Sequence, residues 1–170
     1  MDKFLWMLFL ILANNIGEDP LLEKYCNARF GFCIEYPASF VSMPPPSNND
    51  GLTFLSTDKK TKILAFGSLA VEDFDRIDQE FTIAISNINL TYKKVSKDWF
   101  IFSGLSKQGE IVFRKTVKKK INYTGDRDVY VFQTLMIIYP AAQNNIYQTY
   151  CIKISKSLTV KLFRLYQYSY

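Results

Sequence analysis

The sequence predicts an α+β fold in which a mainly antiparallel sheet is flanked by helices on both faces. Three patterns point there. Val129 to Tyr139 is apolar on both sides of a two-residue alternation, with Val129, Val131, Leu135 and Ile137 set against Tyr130, Phe132, Met136 and Ile138. That is how a strand covered above and below reads. Two stretches switch to helical spacing, one from Val71 to Ile88 and one from Gln143 to Leu158. The other apolar runs are short and broken by Gly, Pro, Asn and Asp, so consecutive strands join as hairpins. A doubly apolar strand with two amphipathic helices calls for a helix on each side of the sheet.

Composition agrees. A chain of 170 residues that is 48% hydrophobic can bury one sizeable core, and its 16% aromatic content favours half-buried strands. The net charge of +5 is moderate and supports solubility with a mild preference for anionic surfaces. Nucleic acid is not an expected partner on that charge. The chain has no histidine, which removes Ser-His and Cys-His nucleophile pairs and imidazole metal ligation. No cofactor is expected.

Taken in order, Phe4 to Ala13 is an unbroken apolar run behind Lys3. Its length of about ten residues suits a signal-peptide core and is too short to cross a bilayer as a helix. Residues 1–17 are therefore expected to be a signal peptide cut after Ala13 or Gly17; a buried N-terminal helix or an uncleaved anchor is the alternative. No cysteine directly follows the run, so no lipid anchor is expected, and past Pro20 no apolar run is long enough to span a membrane. The mature chain would then hold one domain, 18–158, and a strand or tail, 159–170, outside the cytoplasm, in the periplasm or secreted.

Export permits disulfides. Cys26 and Cys33 bracket the turn Arg29-Phe30-Gly31 and would close a loop of about eight residues, worth roughly 2.5 kcal/mol in the chain-entropy account. Two free thiols packed in a core are the other reading. Cys151 falls on one helical face with Ile146, Tyr147, Tyr150, Ile154 and Leu158 and reads as a buried small hydrophobe.

Phe32 to Tyr36 is a short strand stopped by Pro37, which cannot donate to a ladder. Met43 to Ser47, with three consecutive prolines, is an extended surface connection, and Asn49-Asp50-Gly51 is a turn that tolerates positive φ. Leu52–Thr57 and Lys62–Leu69 form a hairpin across Asp58-Lys59-Lys60. In the helix that follows, Val71, Phe74, Ile77, Phe81, Ala84, Ile85 and Ile88 make the apolar stripe. Its acids, Glu72, Asp73, Asp75, Asp78 and Glu80, gather in the N-terminal half, where the helix dipole favours them.

Tyr92–Val95 and Trp99–Ser103 read as strands, and Gly104 to Gly109 as the loop of a hairpin. That loop lacks the Gly-Lys-Ser/Thr ending of a phosphate cradle. Glu110 to Lys118 follows, with Ile111, Phe113 and Val117 facing inward and Arg114, Thr116 and Lys118 on a solvated face. Val129–Tyr139 is the central strand, ended by Pro140, and the second helix closes the domain.

Phe30-Gly31-Phe32-Cys33-Ile34-Glu35-Tyr36-Pro37, the Asn49-Asp50-Gly51 turn, Trp99 to Gly104, Phe113-Arg114-Lys115-Thr116, and Ile138-Tyr139-Pro140 with Ile154-Ser155-Lys156-Ser157 occur in an order that resembles the bacterial exported branch of the PsbP-like superfamily. The resemblance spans roughly Tyr25 to Leu158. It implies an α/β/α sandwich around an antiparallel sheet, a fold that also serves a photosystem subunit, a nuclear transport factor and effector chaperones. It implies binding more often than catalysis. The Cys26 and Cys33 pair and the segment after Leu158 lie outside the general pattern.

Two functional classes follow. The favoured one is an exported non-enzymatic binding or accessory protein whose partner is a protein or an envelope component. The alternative is a carboxylate-dependent hydrolase of the envelope or extracellular space, using Glu35 or Asp50 as acid or base. Arg114, Lys115, Lys118, Lys119, Lys120 and Arg127 cluster around one hairpin near Tyr123 and form a candidate grip for an anionic partner, a membrane surface among them. Against this stands the habit of lysines to blunt sheet edges. Asn89-Leu90-Thr91 and Asn122-Tyr123-Thr124 match glycosylation acceptors.

Overall fold

A computed structural model describes residues 21–71, 74–123 and 127–160. The expected signal segment, and the tail beyond Val160, lie outside the described residues. The strands are β1 (Leu22–Asn27), β2 (Phe32–Pro37), β3 (Val41–Ser42), β4 (Gly51–Leu55), β5 (Lys62–Leu69), β6 (Ile88–Val95), β7 (Trp99–Ser106), β8 (Glu110–Tyr123), β9 (Arg127–Pro140) and β10 (Thr159–Val160). The helices are α1 (Ile77–Ala84), between β5 and β6, and α2 (Asn144–Ser157), which follows a single 3-10 turn at Ala141–Gln143.

Seven strands form the main sheet in the order β3-β4-β5-β9-β8-β7-β6, and three form a smaller one, β1-β2-β10. Their pairings are antiparallel. The doubly apolar segment is central, as its pattern requires: β9 lies between β5 and β8, with Val131, Leu135 and Ile137 on one face and Phe132 on the other, all buried. Tyr130 is the exception and is half exposed.

Two apolar clusters hold the layers together. In one, Ile77 and Phe81 of α1 meet Phe100, Phe102, Val112 and Phe132 of the main sheet. In the other, Cys151 and Ile154 of α2 meet Phe113, Leu135, Ile137 and Tyr139, joined by Phe32, Ile34 and Phe54. The second cluster draws on the small sheet as well as on the helix. The architecture is therefore an antiparallel sheet with two helices and an added three-stranded sheet, rather than plain helical layers.

Three expectations are corrected and one strand is added. The first helix is shorter than its apolar stripe: Val71 and Phe74 are exposed ahead of it, and Ile88 belongs to β6, where it pairs with Ser106. Pairing with β7 claims that end of the stripe. Leu22–Asn27 is a strand, because the Cys-bracketed turn returns the chain on itself with Cys26 directly opposite Cys33.

Gly104 lies inside β7 and not in a loop. A Cβ there would come within 2.4 Å of Ile88 and 2.6 Å of the Asn89 carbonyl, so the missing side chain makes room for a bulge in β6 between Leu90 and Tyr92. The turn itself falls later, at Gly109, whose φ is +78°. Lastly, the supposedly wet side of β8 is covered, since Thr116 is fully buried and Arg114 nearly so beneath α1.

Candidate functional site

The stretch from Tyr25 to Gly51 is a structural hub. The Asn27 side chain is buried; its Oδ1 accepts from the Phe30 N–H at 2.9 Å, and its Nδ2 donates to the Asn49 carbonyl at 3.1 Å. Asn49 takes the positive φ that the turn residues predict, +49°. Gln133, buried in the central strand, donates to the Phe30 carbonyl at 2.9 Å, and the Phe30 ring lies where a side chain on Gly67 would stand. The Cys26–Cys33 disulfide is formed across the β1–β2 pair. The Asn27 and Gln133 side chains thus hold the hairpin loop onto the sheet.

The six basic residues do not form one patch. Alternation along β8 sends Arg114 and Lys118 to the α1 face and Lys115 to the α2 face. Arg114 pairs with Glu80 of α1 and lies over Phe100, with its guanidinium carbon 5.6 Å from the ring centre. Lys118 pairs with Asp75 at 2.8 Å, and Lys120 with Asp128 at 3.2 Å. Lys115 donates to the Ser155 carbonyl at 2.6 Å. Lys119, Lys120 and Arg127 are the members left exposed, around the far end of the β8–β9 hairpin.

The two candidate carboxylates are also separated. Glu35 projects from β2 in the small sheet, opposite Lys24, while Asp50 accepts from Asn48 Nδ2 at 2.8 Å in the turn before β4. Asp50 borders a shallow groove with the proline segment, and Glu35 does not. Asp78 and Asp98 do border one shallow depression, but the Arg76 guanidinium hydrogen-bonded to Asp78 holds its carboxyl below the usual range. An acid kept ionised in that way makes a poor proton donor.

A larger cleft opens beside α2, with a volume of about 510 Å³. Its origin is dimensional. A helix is ~10 Å across and strands are spaced ~4.8 Å, so one helix covers about two strands of a seven-stranded sheet. Helix α2 lies over β8 and β9, with the small sheet packed on its other flank. The same face of β6 and β7 is left open. Ile101, Ser103 and Phe113 form the floor, the β6 bulge brings Thr91 and Tyr92 to the outer wall, and Gln148, Ile152 and Lys156 line the helix side. Thr91 Oγ1 donates to the Ser103 carbonyl at 3.1 Å, fixing the bulge.

Among the described residues, no aspartate or glutamate lines this cleft. Cys151 reaches it, but burial pushes the thiol up to about 12, so it is not a thiolate nucleophile at neutral pH. Tyr139 O–H donates to Asn144 Oδ1 at 3.0 Å, and burial raises its pKa as well. Among the described residues, the lining offers no activated base or nucleophile. Sequence reasoning passed over this site. The available signal was Ile152, an isoleucine off the buried stripe of α2.

The chain has a PsbP-like fold. The solution structure of cyanobacterial PsbP (CyanoP) from Synechocystis sp. PCC 6803 matches it with a TM-score of 0.55 over 82% of this chain and 92% of that one, at 9% identity. Likeness at that identity is of fold alone. No family model and no curated protein matches the sequence. Among the described residues, no helix is long and apolar enough to cross a membrane.

Proposed function

We propose that the chain is an exported, non-enzymatic binding or accessory protein of the bacterial PsbP-like branch, and that it works through the cleft beside α2. The observation that carries this reading is the cleft's lining: an apolar floor with a few hydroxyl and amide groups, no carboxylate among the described residues, and a thiol held protonated. Such a lining matches the general form of ligand sites, concave and mainly apolar with a few placed polar groups. The Cys26–Cys33 disulfide favours an oxidising, extracytoplasmic compartment and agrees with residues 1–17 acting as an export signal. The partner on this reading is a protein or an envelope component. Lys119, Lys120 and Arg127 would supply a secondary contact to an anionic surface.

The test is site-specific photo-cross-linking in the exporting cell. A photoreactive residue at Ile152, on the cleft wall, is compared with one at Ile83, equally exposed on α1. Specific adducts at 152 well above those at 83 support the reading. Equal yields at the two positions overturn it.

A further inference from the structure

We propose that the cleft binds a single-chain amphiphile with one anionic head group, the chain lying on the sheet floor and the head at the end nearest the C-terminus of α2. The inference rests on the cleft being the working site. What it adds is a direction, because the apolar and charged groups are sorted along its length.

Strand register shows the sorting. Tyr92, Ser103, Phe113 and Ile137 stand opposite one another across β6, β7, β8 and β9 on the face below α2. One step along, ~7 Å away, the next row on the same face reads Lys94, Ile101, Lys115, Leu135. The two lysines of that row flank Ile101, with their backbones ~10 Å apart. Lys156, in the last turn of α2, lines the same end of the cleft from above. The opposite end, near Asn144 and Tyr139, carries no charged side chain among the lining residues.

Lys156 therefore lines one end of an apolar slot, Lys94 and Lys115 stand on the neighbouring row of the sheet at that end, and no carboxylate is among the described lining residues. Lys115 uses one N–H on the Ser155 carbonyl and keeps two donors. That bond also offsets the negative end of the α2 dipole, which would otherwise repel an anion. Lys94 lies 5.5 Å from the Trp99 ring centre and is exposed, as is Lys156. At the slot itself, Tyr92 and Ile152 are each 53% exposed on facing walls, an apolar pair that a chain inserted between them would cover. The volume of about 510 Å³ lies in the range of ~300–1,000 Å³ typical of small-ligand sites.

The test uses the purified full chain and isothermal titration with dodecanoate below its micelle concentration, neutral dodecyl glucoside, and acetate. Saturable one-to-one binding of dodecanoate is expected, at least tenfold weaker binding of the glucoside, and none of acetate. Exchanging both Lys94→Gln and Lys156→Gln should weaken dodecanoate about tenfold and leave the glucoside unchanged, while Ile152→Glu should abolish both. All three positions are exposed, so circular dichroism and thermal melts should match the parent. No saturable binding of dodecanoate, equal affinity for the neutral and anionic chains, or indifference to the lysine exchanges overturns the proposal. Loss of dodecanoate binding with cross-linking at 152 intact overturns the ligand class alone and leaves a peptide as occupant. Failure of both removes the cleft as a site.

Discussion

Lys115 Nζ donates to the Ser155 carbonyl at 2.6 Å, tying the middle of β8 to the last turn of α2. The bond satisfies a helix-end acceptor that the helix itself cannot. It also fixes the edge of α2 along which the cleft opens. Burial lowers the Lys115 pKa below its ordinary value of 10.5. A lysine so depressed binds its proton less well folded than unfolded, so folding is favoured as pH rises from the folded pKa towards 10.5. Relative to Lys115→Met, the parent should therefore gain stability through the alkaline range. Urea melts of both proteins between neutral pH and the ordinary lysine value measure this; a constant difference contradicts it.

Breaking the Cys26–Cys33 bond should cost about 2.5 kcal/mol, the loop-closure entropy of its short loop. The double exchange Cys26→Ala and Cys33→Ala should shift the denaturation midpoint accordingly, and reductant should reproduce the shift in the parent. Because the pair staples β1 to β2, hydrogen exchange should rise first in β1.

Arg114 is enclosed by α1 and by the rings of Phe100 and Phe66, with Glu80 as its counter-charge. Removing that partner with Glu80→Ala should destabilise by about 3 kcal/mol, since it strands a largely buried guanidinium. The double exchange Arg114→Met and Glu80→Leu should recover most of the loss. Additive losses in the double-mutant cycle would show that the pair is not coupled.

Tyr36 donates to Glu23 Oε2 at 2.7 Å, and chiefly through that bond its phenol is pushed up to about 12. Ultraviolet titration should resolve one tyrosine near that value, returning towards 10 in Glu23→Gln. A raised folded pKa contributes stability below the unfolded value that is lost as pH climbs through the folded one. The stability contributed by this bond should accordingly be lost as pH rises from the ordinary value of 10.0 through about 12.

Gly67 sits in β5 beneath Phe30, and an added Cβ would come within 2.2 Å of that ring. Gly67→Ala should cost about 3 kcal/mol or more by forcing the hairpin loop off the sheet. Thermal melts with hydrogen exchange at Phe30 and Gln133 check it, and an unshifted melt would mean that the loop moves freely.

By itself the sequence determined the elements whose signals are local. The two-sided apolar pattern of Val129–Tyr139 marked the central strand, Pro37, Asn49 and Gly109 marked breaks and turns, and the spacing around Cys151 marked α2. These depend on backbone preferences and on side-chain periods of two or of three to four residues, which are written in neighbouring residues. The run from Arg114 to Lys120 misled for the opposite reason. Its charges are close together in the chain, but the strand turns alternate side chains apart, and their partners arrive from 34 and 43 residues away, Glu80 from α1 and Asp75 from the segment just ahead of it.

Only the tertiary structure decided that β9 returns between β5 and β8, that Gly104 yields to a bulge in β6, and that α2 with the small sheet leaves β6 and β7 uncovered on one face. The cleft is the space that remains when one helix packs on a sheet several strands wider than itself. No single segment encodes such a space, because its walls come from strands and a helix whose relative placement is settled by packing alone.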